Sequence, residues 1–302
     1  MISWQLWKAL QRPPINHPLF KRTAGIERIS KRLMLFAEGL APATLGTGAL
    51  LCVAMWFLPY VTLLAQLFIV WGIAPLAFIM VNGTLFGGIW AATIGKNIAA
   101  EYTRKRYELL CLSPAGTLLT NWAICTACLH RNQLFHFIHS QRNTIIYQVI
   151  IPASALLILG FTLSAPPPRG AALIANIVGY TCVIVAFFGD YIYSMVLCSL
   201  AGMLSPAVAR NSLNAPMWAM SIFLVFQSSS YVVVLVIDLV VLPVIFGLLQ
   251  LQGLYADLVL ALLRLLVFFA VREMVIAYLW RLLLSRLNID QPELGTMMRM
   301  PI

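Results

Sequence analysis

Five ionisable side chains, Asp190, Asp238, Arg264, Arg272 and Glu273, stand inside long apolar runs. A charge there is expensive, so such groups either neutralise one another or mark a path for ions or protons. Gln227 to Tyr231, QSSSY, adds a polar belt to one of the same runs, suited to lining a cavity or to binding neighbouring helices. Elsewhere Cys125, Cys128 and His130 form CTACLH. This is neither the CxxCH of haem attachment nor a zinc site with a second ligand pair, so no metal is expected. His136 and His139 share a face at i and i+3, where a metal or phosphate could meet them, but solvated interface histidines fit the pattern better. No HExxH, GxSxG or paired-aspartate motif lies in an apolar run, and no catalytic residue is expected.

The elements that carry these groups must suit lipid. Of 302 residues, 61% are hydrophobic and 10% charged, with a mean hydropathy of +0.89, against roughly 25% charged in a soluble domain. Six runs reach the length of about 20 residues that a helix needs to cross hydrocarbon: 43–70, 73–95, 144–164, 171–203, 216–248 and 256–284, interrupted by Pro59, Pro75, Pro152 and Pro243. The predicted fold is all-α and integral to a membrane. It has a basic arm (1–40) and a six-span domain (41–302) that carries a long polar-apolar connection at 96–143. Seven of the twenty Lys and Arg precede residue 40, six lie between 96 and 142, and five lie from 264 onward. The positive-inside rule then places both termini and the 96–143 connection in the cytosol, in a multi-pass cell (inner) membrane. The six cysteines imply no disulfide framework.

Within the arm, Ile15, Leu19, Ile26, Ile29 and Leu33 recur at helical spacing with basic residues on other faces, which predicts an amphipathic helix over 15–33 on the membrane surface. Its expected partner is membrane lipid or, equally, a docking protein, since basic residues near a span serve both, and nucleic acid is not expected. In the second span Gly83, Gly87, Ala91 and Gly95 recur every fourth residue, a groove where another helix can approach closely, within one subunit or between two, or, as a third use, a wall for substrate. Counting about 1.5 Å per residue from the outer ends of the spans puts Asp238 and Arg264 at one depth (~13 Å) and Asp190 and Arg272 at another (~25 Å). Those are the expected pairs.

After the second span comes EYTRKRYELLCLSPAG, Glu101 to Gly116, whose charged half passes into an apolar half that Pro114 should close. A short charged helix pushed into the cytosol is a handle for another protein or a solvated connector. The segment resembles the coupling helix of the permease subunits of type-2 ABC (ATP-binding-cassette) exporters: Glu101, Glu108, Leu109, Leu110, Ser113 and Pro114 fall in register, while Lys105-Arg106 replaces that family's Gly-Thr pair. Asn16 to Arg32 is similar to the family's N-terminal interface helix. A further departure is the 117–143 stretch, predicted to be an extended interfacial segment.

The resemblance implies a half-transporter, two permeases pairing in the membrane and driven by separate nucleotide-binding ATPase subunits. Those subunits would grip Glu101, Arg104, Lys105, Arg106, Glu108, Leu109, Leu110, Ser113 and Pro114. ATP and magnesium would sit on the partner, for this chain has no phosphate loop: Gly95-Lys96-Asn97 lacks the first glycine, replaced by Trp90, and the Ser or Thr, replaced by Asn97. The competing expectation is a non-transporting scaffold that keeps the shape and uses its cytosolic surface for assembly.

Overall fold

The computed structural model describes residues 1–11, 14, 20–21, 73–104, 107, 116–131, 170–209, 214–249 and 254–287. The expected spans 43–70 and 144–164, and the 15–33 helix apart from Phe20 and Lys21, lie outside them. Among the described residues every regular element is a helix and none is a strand. In chain order these are α1 (Ile2–Gln11), α2 (Ile73–Thr103), α3 (Gly116–Arg131), α4 (Gly170–Val208) and α5 (Ala215–Val236). A π-helical turn (Ile237–Val241) then leads into α6 (Leu242–Leu248), and α7 (Leu254–Arg286) follows. The chain divides into two compact units, Met1–Ile26 with Val81–Arg131 and Gly179–Ile302, and Glu27–Met80 with Asn132–Val178. The described part of the second is the opening of α2 and of α4, and the contacts that build the site belong to the first.

Two stretches are long and apolar enough to cross a membrane, Phe188–Val208 at the end of α4, 78% buried, and Ala215–Leu248, 11% buried. The first forms the middle of its unit. The second presents Met217, Val225, Val232, Leu239, Val244 and Leu248 outward, a surface that suits hydrocarbon and not water.

Prolines shape both rods. Pro206 lies inside the last turn of α4 and has no N–H for the carbonyl of Gly202. Ser205 Oγ donates to that carbonyl instead, at 3.1 Å. Pro243 follows the π turn, in which the Leu242 N–H reaches back to the Ile237 carbonyl. A wide turn just before a proline relieves the clash of its ring with the preceding turn. Asp238 sits on that turn.

The small residues of α2 form an internal seam. A Cβ on Gly87 would strike the buried Phe223 ring of α5, and one on Gly95 would lie 3.0 Å from Ala219 Cβ and 3.2 Å from the Ala215 carbonyl. Across the other side, a Cβ on Gly202 of α4 would lie 3.1 Å from the Ala91 carbonyl and 2.7 Å from Ile94 Cβ. Gly87, Ala91 and Gly95 therefore pack α2 onto α4 and α5 of the same chain, which answers whether that seam lies within or between subunits. Gly83 is on α2, with surroundings outside the described residues.

Two elements differ from expectation. The stretch 117–143 is predicted at an interface; within its described part α3 is a regular helix with Leu118 and Thr120 to Leu129 all buried. Gly116, at φ 70°, opens it in a conformation that glycine adopts freely. The chain also begins with a helix that was not predicted. α1 buries Ser3, Leu6, Trp7 and Leu10 along one side, a spacing of three and four that marks one helical face.

Candidate functional site: a buried charge ring and the end of α2

The π turn, α4 and α7 bring four of the five charged residues together in pairs. Arg264 Nε donates to Asp238 Oδ1 at 2.5 Å, on the half-exposed outer side. Arg272 Nη2 pairs with Asp190 Oδ1, and both side chains are 2% exposed. These are the partners that depth along the spans predicts.

Around the buried pair the polar belt of α5 closes a ring. Arg272 Nη1 donates to Gln227 Oε1 at 2.7 Å and to Ser230 Oγ at 3.0 Å, and Nη2 to Ser194 Oγ at 3.1 Å. Gln227 Nε2 donates in turn to Tyr231 Oη at 2.6 Å and to Ser194 Oγ at 2.9 Å. The Tyr231 hydroxyl donates onward to the Asp190 carboxylate, 2.9 Å from Oδ2. The guanidinium lies 4.8 Å from the Tyr231 ring centre and 5.9 Å from that of Phe268, so aromatic faces cover it. A buried ion pair persists only when further hydrogen bonds satisfy its remaining atoms. Here all but Arg272 Nε have them. Within the ring the opposite charges of Asp190 and Arg272 offset one another.

Glu273, next to Arg272, has a different partner. It receives the Ile2 N–H at 2.5 Å, the Ser3 N–H at 3.3 Å and the Ser3 hydroxyl. The first amides of a helix have no partner inside it, and the helix dipole favours an anion at that end. Glu273 thus caps α1 from across the fold.

The segment predicted to dock a partner is described in part. α2 spans 31 residues, or about 46 Å at the α-helical rise, well beyond the ~30 Å of hydrocarbon. At its end Arg104 Nη1 lies 3.5 Å from Glu101 Oε1. Tyr107 stacks on Tyr102, centroids 3.7 Å apart, and donates to Asn121 Oδ1 on α3 at 3.0 Å. Lys105, Arg106, Glu108, Leu109, Leu110, Ser113 and Pro114 lie outside the described residues, as do His136 and His139.

α3 is tied to its neighbours by two residues of the CTACLH stretch, Cys128 and His130. Asn97 Nδ2 donates to Cys128 Sγ at 3.1 Å. His130 Nε2 lies 3.1 Å from the Leu10 carbonyl of α1, so that nitrogen carries the proton. Among the described residues no three His, Cys, Asp or Glu side chains converge as metal ligands.

No family model, curated protein or solved structure matches this chain.

Burial pushes the Cys128 thiol up to about 11, with the Asn97 donor and Arg131 pulling the other way. Burial, then the neighbouring Cys128, raises Cys125 well above the ordinary thiol range. Neither is a thiolate at neutral pH. Both are expected to resist N-ethylmaleimide at pH 8 in intact membranes and to react once the protein is denatured. Because the folded value is raised, the stabilisation is complete below about pH 8.5, where an unfolded thiol is still protonated, and declines as pH rises toward 11. The midpoint of thermal unfolding should fall across that window, and a Cys128→Ser variant should flatten the fall.

Proposed function

We propose that this chain is the membrane-spanning permease subunit of an ATP-driven ABC exporter, crossing the cell inner membrane six times with both termini cytosolic. Residues 101–114 dock a separate ATPase, and a second permease, identical or related, completes the assembly. The observation that carries the reading is the elbow at the end of α2. A helix longer than the hydrocarbon ends in a charged turn pinned by Tyr102, Tyr107 and Asn121, which is how a force on the cytosolic side could be passed into a helix bundle. The register of Glu101, Glu108, Leu109, Leu110, Ser113 and Pro114 with a coupling helix supports it, as do two apolar rods fit to span a membrane. ATP and magnesium then belong to the partner, and this chain is not itself an enzyme.

The elbow makes the reading testable. Glu108→Lys should lower the ATP hydrolysis of the purified assembly by ten-fold or more while insertion and abundance stay unchanged. Unchanged hydrolysis counts against docking at this segment. Purification in mild detergent without overexpression, with every co-migrating subunit identified by mass spectrometry, should return a stoichiometric ATPase that carries a phosphate loop.

A second reading, a non-transporting scaffold of a larger membrane complex, is favoured by the sealed ring itself. Asp190, Gln227, Ser230 and Arg272 are all buried and bonded to one another, a structural use of charge that needs no cargo. Other membrane subunits in place of the ATPase would establish it.

A further inference from the structure

Adjacent residues on two helices face two different structures. On α4, Asp190 joins the buried ring, while Tyr191 meets Trp7 of α1 edge-on, ring centroids 5.8 Å apart and planes at 81°. On α7, Arg272 joins the ring, while Glu273 holds the first amides and the Ser3 hydroxyl of α1. Tyr193 is buried beside both Ser3 and Glu273. The ring and α1 are thus built on the same two backbone segments, 190–191 and 272–273, and Tyr193, bonded to Ser3 and Glu273, also lies in the field of Arg272.

A closely packed interior cannot absorb a shift on one side without answering on the other. If α1 leaves its seat, Glu273 loses three donors and Tyr191 its aromatic neighbour, and the two helices are free to move at the level of the Asp190–Arg272 pair. The far end of α1 is fastened separately, by the Leu10 carbonyl to His130. Its outer side, with Met1, Trp4 and Lys8, is exposed. A ligand could therefore pull on α1 without first entering the core.

We infer that α1 is a latch on the intramembrane charge ring: its seating holds the Asp190–Arg272 pair closed, and its release loosens that pair. Coupling of this kind is reciprocal, so damage to the ring must unseat α1. The inference goes beyond the exporter reading and does not need it.

The test reads α1 from the ring side, in the full chain reconstituted in lipid nanodiscs, by hydrogen–deuterium exchange of the peptide covering Ile2–Gln11. Tyr231→Phe removes the hydroxyl that bridges Asp190 and Gln227 but keeps the ring over the guanidinium. Asp190→Asn removes the charge. Neither residue is bonded to α1. Asp238→Asn breaks the other ion pair and is the control. Exchange in α1 should rise about five-fold or more in Tyr231→Phe, within the usual range of such couplings, and further in Asp190→Asn, and should be unchanged in Asp238→Asn. Should Asp190→Asn not accumulate, Tyr231→Phe against the control decides. Unaltered exchange in Tyr231→Phe overturns the inference. So does an equal rise in all three variants, which is general loosening rather than a latch.

Discussion

Arg272→Met should lower the stability of the protein by about 3–5 kcal/mol, the usual cost of removing one partner from a buried ion pair. The loss is large because of what is left behind. Asp190, 1% exposed, keeps only the Tyr231 hydroxyl and the distant Ser194, while Gln227 Oε1 and Ser230 lose their shared donor. Water cannot reach them to compensate. Asp190→Leu combined with Arg272→Met removes both charges and should recover most of the loss, since well-packed apolar side chains often replace a buried pair at little cost. The check is the thermal midpoint of the purified protein for both single variants and the double. If the losses of the single variants merely add in the double, the two residues do not act as a pair.

Gly95→Val should be nearly as damaging, by a mechanism that involves no charge. Its Cβ would enter a space bounded by Ser205 Oγ, Ala219 Cβ and the Ala215 carbonyl. One of those atoms is backbone and one is the root of a side chain, so neither can swing aside. Overpacking of this kind costs about 1–3 kcal/mol, and valine adds two methyl groups beyond the Cβ, which argues for the upper end. Gly247→Ala is the contrasting variant. Nothing lies within 4 Å of a Cβ at Gly247, and alanine suits a helix better than glycine by up to about 1 kcal/mol. It should be neutral or stabilising in the same assay, and equal effects at both positions would mean that α2 does not pack as described.

Much of this arrangement could be read from one dimension, for a physical reason. A charge inside an apolar helix needs a partner at its own depth, and depth is a count of residues. Asp238 with Arg264 and Asp190 with Arg272 follow from that count. The QSSSY belt shows itself because polar residues are rare in such runs, although its choice of Arg272 depends on helix rotation, which a count cannot supply. Gly87, Ala91 and Gly95 reveal a seam by spacing, but not which helices fill it.

What escaped has equally specific causes. Leu6, Trp7 and Leu10 do form a stripe, but three apolar residues in a ten-residue helix are a weak signal beside the longer pattern at 15–33. Glu273 looks like one more membrane charge in need of a cation, and its partner is instead a set of backbone amides, which no residue type announces. α3 misleads because His130 and Arg131, with the histidines and arginine that follow, suggest an interface, while before them Thr120, Asn121, Thr126 and Cys128 lie buried. Their polar groups are met inside the protein, by turns of α3 itself, by Tyr107 and by Asn97.

The two apolar rods also make unequal demands on heredity. Along Ala215–Leu248 most positions point outward, and an outward position is satisfied by Leu, Ile, Val, Met or Phe alike, so it stores little more than a yes-or-no instruction. Along Phe188–Val208, where most positions are enclosed, each one must specify volume, shape and often a hydrogen bond. A library randomised among apolar residues should therefore return many working variants of the first rod and few of the second. The instructions for this molecule are concentrated in the helix that its neighbours enclose.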